Sequence, residues 1–192
     1  MPVDYLCKKY LSLPIISSAL ERLHSKLPPN LYYHVASHTD DVMQEVLLFA
    51  HEDKLDDRQQ LLLAIGAAYH DLGFIIRASD NESLGADFAR EAMMQDGTYS
   101  DEEMKIVYQM INDTKVQMTP EGPRQIASNQ LSGYLLDADV SNLGRDDFFE
   151  KAELVRMELN LPEGEAFLSS LWNFLSVHTW NTPAAKRLRQ KG

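Results

Sequence analysis

Apolar residues recur at intervals of three and four through most of this chain, the period of one face of an α-helix. Between residues 3 and 26 they run on both sides of Pro14. The pattern predicts a helix broken there, because proline removes an amide donor and crowds the preceding turn. Lys26-Leu27-Pro28-Pro29-Asn30 is a stiff turn. Val42, Met43, Val46, Leu47 and Ala50 then predict a helix over at least 38–52. Asp56-Asp57-Arg58-Gln59-Gln60 puts acids where the next helix dipole is positive. Leu61 to Ala68 is apolar nearly all round, which marks that helix as central. Small residues at Ala64, Gly66, Ala67 and Ala68 permit close helix approach, and Gly73 is placed as its C-cap.

Further helices follow. One opens at Asp80-Asn81-Glu82-Ser83, runs to about Met94 and ends at Gln95-Asp96-Gly97. Ser100 with Glu103 is a capping-box signature opening a helix to about Asn112. Another starts near Ile126 and turns Leu131, Tyr134, Leu135 and Leu136 inward. One runs from Arg145-Asp146-Asp147 to about Leu159. Pro162 opens a long helix with Phe167, Leu168, Leu171, Trp172, Phe174 and Leu175 packed. A turn at His178 to Pro183 leads into a short basic helix. Residues 74–80 and 120–123 are loops, and no strand-like alternation or internal repeat is present. The expectation is an all-α fold, one domain over 1–192, with its core at about 31–160 and the helices of 162–190 packed on it.

Composition changes this picture little. Charged residues are 24% and hydrophobic residues 44%, ordinary globular usage. A net charge of −11 argues against a protein that lies along a nucleic-acid polymer, where a basic face is needed. It leaves room for a small phosphorylated substrate, because a bound dication reverses the local field. Lys186, Arg187, Arg189 and Lys191 form a basic tail, read as a solvated helix end. Cys7 is the one cysteine, so neither a disulfide framework nor a cysteine metal cluster is expected. The longest apolar run is too short to span a bilayer. No membrane association and a cytoplasmic location are expected.

Candidate chemistry sits where the apolar run of 61–69 stops. His70 and Asp71 are adjacent at the end of the most buried helix. An ionised Asp71 there, without a cation, would cost several kcal/mol, a cost that a metal removes. The competing account is a structural His–Asp hydrogen bond. His34 and His38 are four residues apart; if helix reaches back to 34 they share a face, and otherwise His34 sits at the mouth of the same turn. Leu135-Leu136-Asp137-Ala138-Asp139 supplies two acids near a helix end. His24 and His51 are read as surface residues. Imidazoles and carboxylates with positions left for water make a divalent-metal site open to substrate.

The order of these residues resembles the signature of the HD superfamily of metal-dependent phosphohydrolases. Tyr33-His34-x-x-x-His38-Thr39-x-x-Val42 resembles the first motif of its phosphodiesterase-like members. His70-Asp71-x-Gly73-Phe74 and Asp80-Asn81-Glu82 resemble a bacterial subgroup, and Leu136-Asp137-Ala138-Asp139-x-x-x-Leu143-Gly144 resembles the last motif. The resemblance covers about 31–160, with a looser echo in Phe174-Leu175-x-x-His178-x-x-x-Thr182.

That resemblance implies an HD-type helical bundle around one divalent ion held by His38, His70, Asp71 and Asp139, with Asp137 behind it or capping the helix end. Mn, Fe, Ni, Co, Zn and Mg all remain open as the metal. It implies hydrolysis of a phosphate ester of a small metabolite, a nucleotide first, by metal-activated water. Asp71 would take the proton, with Glu82 as the alternative base. His34 would protonate the leaving oxygen. Arg77, Lys115 and Arg145 are candidates for the phosphate, and the loops at 74–80 and 115–125 for specificity. Two departures from the family stand out. Val35 replaces an asparagine of the phosphodiesterase-like motif, which weakens a cyclic-nucleotide reading. The helix after 80 has no histidine, Asn81 standing where some relatives carry one, which favours a single ion. The alternative is a non-catalytic HD-fold module that binds a metal or nucleotide in signalling. A homodimer is compatible with either.

Overall fold

A computed structural model describes residues 3–190, with side chains from Cys7 onward. Lys191 of the basic tail lies outside the described residues. Among these, ten α-helices and one two-stranded hairpin are present, a mostly helical architecture as expected. The elements are α1 Val3–Leu11, α2 Pro14–Lys26, α3 Ala36–Glu52, α4 Asp57–Tyr69, α5 Asn81–Asp96, α6 Asp101–Asn112, β1 Gln117–Thr119, β2 Gly122–Arg124, α7 Gln130–Asp139, α8 Phe148–Glu158, α9 Glu165–Val177 and α10 Pro183–Arg189. Tight 3₁₀ turns cover Leu72–Ile75 and Ser141–Gly144. No described helix is long and apolar enough to cross a membrane.

Helix α4 is the axis. Nine of its residues, Gln60 and Leu62 to Tyr69, are buried, as the all-round apolar run demands. It packs against α2, α3, α5, α6 and α7. Glycine makes two of these approaches possible. A Cβ on Gly66 would stand 2.7 Å from the Met110 side chain, and one on Gly85 of α5 would stand 2.4 Å from the Tyr69 carbonyl oxygen. Both predicted helix starts are built as capping boxes: Asp56 with Gln59 and Ser100 with Glu103. Pro14 opens α2 at its first turn, where its missing amide costs nothing.

Several expectations are corrected. Gly73 is not a C-cap. It lies inside the 72–75 turn, and a Cβ there would be 2.0 Å from the Asn81 carbonyl oxygen, so close backbone approach is what requires glycine. Residues 117–124 are a short antiparallel hairpin, with Met118 opposite Pro123. Helix α7 begins at Gln130, capped by the Asn129 side chain, rather than near Ile126. The long apolar helix α9 has no fully buried residue: Leu168 is 58% and Trp172 69% exposed, and the helix packs chiefly on β2.

Asp137 has a different task from the one implied. Fully buried, it accepts from the backbone N–H of Asn181 (2.9 Å) and Thr182 (2.8 Å) and from both of their side chains (2.8 Å each). It pins the turn into α10 against α7. Burial nevertheless outweighs these donors and raises its carboxyl above the usual range.

Candidate metal centre

Three helix ends meet at one point. His38 stands in the first turn of α3, His70 and Asp71 follow the last residue of α4, and Asp139 is the last residue of α7. The C-terminal ends of α4 and α7 are negative, which favours a cation beside them. His38 Nε2 lies 3.1 Å from Asp139 Oδ1 and 3.6 Å from Asp71 Oδ2. His70 Nε2 lies 3.3 Å from Asp71 Oδ2 and 3.7 Å from Asp139 Oδ1. The ligand atoms of His38, His70 and Asp71 all lie within 4.8 Å of one another, so these three could hold a single ion, with Asp139 beside them. Asp139 is the most open of them, its side chain 15% exposed.

Two atoms argue for an ion over a bare hydrogen-bond cluster. His70 Nε2 and Asp71 Oδ2 are buried and have no hydrogen-bond partner. Unsatisfied buried polar atoms are costly and rare, and a shared cation satisfies both. The other nitrogen of His70, Nδ1, donates to the Ala67 carbonyl at 2.8 Å. That bond sets the tautomer with its lone pair on Nε2, the form that ligates metals. Asp139 has its own orienting partner: Gln125 Nε2 donates to its Oδ2 at 2.6 Å and to the Thr114 carbonyl at 2.7 Å.

The charges are strongly coupled. Burial alone would raise Asp71, but the imidazoles of His70, His34 and His38 outweigh it and hold the acid well below the usual carboxylate range. Burial would lower His70; the close charge of Asp71, helped by Asp139 and the Ala67 carbonyl, pushes it up to about 9 instead. Asp139 is likewise lowered against its burial, chiefly by its bond to His38 and the charge of His70. With only protons to balance them, the acids hold a positive charge among themselves, which a metal dication would supply in their place.

His34 is pre-helical, with Val35 as the N-cap of α3. Its ring still stands edge-on to His38 at 5.8 Å between centroids and stacks on Phe74 at 4.5 Å. Its Nδ1 pairs with Glu158 Oε1, a residue from the last turn of α8. Glu158 Oε2 also accepts the backbone N–H groups of Tyr32 (2.9 Å), Tyr33 (2.8 Å) and His34 (3.0 Å). Burial would lower His34, but Asp71, Glu158 and Asp139 together raise it above its ordinary value. The protonated form of the ring is thereby favoured beside the cluster.

The remaining candidates separate. Arg145 lies in a small cavity with Tyr33, His38, Asp41, Asp139 and Lys151, although Asp147 and Asp41 already bind its guanidinium. Arg77 is exposed and pairs with Asp80 at 2.7 Å, with no contact to the cluster. Lys115 is exposed, and its side chain makes no hydrogen bond or ion pair among the described residues. Glu82 is half-buried in the first turn of α5 and makes no hydrogen bond or ion pair among the described residues. Glu158, Gln125 and Lys151 were not foreseen. Each reaches the site from an element whose own pattern carries no sign of it. No protein-family model, no curated protein and no solved structure matches this chain.

Proposed function

We propose that this chain is an HD-type metal-dependent phosphohydrolase acting on the phosphate ester of a small metabolite. The observation that carries the reading is the meeting of four donor atoms, two of them buried and without a hydrogen bond, from the ends of three helices. The reading assigns one divalent ion to His38, His70 and Asp71, whose ligand atoms lie within 4.8 Å of one another, with Asp139 as its fourth holder. When bound, such an ion lowers the pKa of water toward neutrality and neutralises a phosphoryl oxygen.

The chain's own groups supply the rest. Asp71 keeps its second oxygen available to accept a proton from the attacking water. His34, charged and oriented by Glu158, donates a proton to the leaving oxygen. Arg145 and Lys151, close to Asp139 across Asp41, offer positive charge to the outer phosphoryl oxygens. Tyr33 closes one wall, its ring 4.5 Å from that of His38.

Metal analysis of the purified chain, combined with a hydrolysis screen over nucleotides, sugar phosphates, phosphorylated acids and an aryl phosphate, tests this. Wild type should bind about one equivalent of a divalent ion and turn over at least one ester. Asp71→Ala should lose the ion and the activity together. A fully metal-loaded wild type inert across the panel would refute the enzyme and leave a binding module.

A further inference from the structure

A second cavity is lined in part by Gln125, whose amide also binds Asp139. Arg124, Gln125, Val140, Phe174, His178 and Asn181 are among its walls, and its volume is about 40 Å³. By the same measure one water needs about 10–15 Å³, so it has room for roughly three heavy atoms, the size of a carboxylate and not of a nucleobase.

Two of its polar groups, Arg124 and His178, are unspent. The chain has nine arginines, all of them described residues. Seven sit in ion pairs: Arg58, Arg77, Arg90, Arg145, Arg156, Arg187 and Arg189. Arg22 lies over the ring of Phe88. Arg124 alone has neither, and its guanidinium makes no hydrogen bond among the described residues. With 29 acidic residues against 18 basic ones, a half-buried arginine without an ion pair is conspicuous. Beside it, His178 Nε2 is buried without a partner. The ring is held between Phe174, stacked at 6.2 Å, and Trp180, edge-on at 4.6 Å. Burial and the charge of Arg124 depress its pKa to about 4, so it is neutral and able to donate one N–H.

A guanidinium and an imidazole N–H over an apolar floor are complementary to an anion. Gln125 lines this cavity while its amide nitrogen binds Asp139 Oδ2, so one side chain separates it from the ligand cluster. We propose that the Arg124–His178 cavity is a subsite for a second anionic group, of carboxylate size, on the substrate whose phosphoryl group is held at the His38–His70–Asp71–Asp139 cluster. The second half of that statement rests on the phosphohydrolase reading; the anion site itself does not. The substrate class is then a compact phosphorylated acid.

Two titrations of the full chain test the two halves separately. In EDTA at fixed ionic strength, acetate is titrated calorimetrically. Wild type should bind with a dissociation constant of about 1–10 mM. Arg124→Gln should weaken this at least about tenfold, and Arg90→Gln, a surface control, should leave it unchanged. Circular dichroism melts confirm that each variant is folded. Mn-loaded protein is then titrated with methylphosphonate, phosphonoacetate and 3-phosphonopropionate. One of the two carboxylated phosphonates should bind about tenfold tighter than methylphosphonate in wild type, and the preference should vanish in Arg124→Gln. Acetate binding that is absent, or indifferent to Arg124, overturns the anion site. Arg124-dependent acetate binding without a preference among the phosphonates overturns the link to substrate. No phosphonate binding at all, with acetate binding intact, supports the anion site and refutes the phosphohydrolase reading instead.

Discussion

Replacing Glu158 by glutamine removes a single charge from the carboxylate that holds His34 and the 32–34 backbone. Three backbone N–H groups and the His34 ring converge on it. Burial opposes its ionisation, yet the bond and charge of His34, with the amides of His34 and Tyr33, bring the carboxyl down to about 2 from 4.5. About 2.5 pH units at about 1.36 kcal/mol each is roughly 3 kcal/mol, the most the charge can contribute to the folded state. Glutamine keeps an oxygen for the amides, so the expected loss at pH 6 is about 2 kcal/mol. The sign follows from linkage. Glu158 is depressed in the folded chain, so its contribution is present above pH 4.5 and fades as pH falls toward 2. His34 is raised, so its share is present in full below its unfolded value of 6.5 and fades as pH rises through the folded value. Urea unfolding of wild type and Glu158→Gln in EDTA, from pH 3 to 9, should therefore give a stability difference that peaks between about pH 5 and 6.5. A difference that is flat across this range, or below about 0.5 kcal/mol at pH 6, would refute the argument that the pair is charged.

Three further outcomes follow from the geometry. Manganese at about 100 times its dissociation constant should stabilise wild type by about 2.7 kcal/mol, a rise of roughly 5–10 °C in melting temperature, reversed by EDTA; Asp139→Ala should lose most of that rise, and an undiminished rise would remove Asp139 from the ligand set. Gly85→Ala drives a Cβ against the Tyr69 carbonyl and should cost at least about 2 kcal/mol, whereas Gly97→Ala, with open space but φ of 76°, should cost about 1 kcal/mol in the same thermal melts. Trp172→Ser should change stability by less than about 0.5 kcal/mol because its side chain is largely in water, while Leu135→Ala in the core should cost about 2–5 kcal/mol; a comparable loss at Trp172 would mean that α9 is covered in solution.

The four residues of the cluster stand out in the sequence for a reason that their partners do not share. His38, His70, Asp71 and Asp139 all sit at helix ends, where the apolar period that reveals a helix also reveals where it stops. A polar residue at the end of a buried helix stands out against that pattern. Glu158 and Gln125 do not. Glu158 closes a largely exposed helix and Gln125 follows a three-residue strand, and each acquires its role only by meeting His34 or Asp139 across 124 and 14 residues of chain. The hairpin escaped for a related reason: strands of three residues, one containing Gly122 and Pro123, are too short to alternate. Helix α9 shows the opposite failure. Its apolar period is strong, and the helix forms where expected, but period tells which face is apolar and not whether another element reaches it. The fold class and the centre of the site were therefore written locally, in the ends of helices. Everything that orients the centre and gives it selectivity, from Glu158 to the Arg124–His178 cavity, comes from contacts that only the folded chain defines.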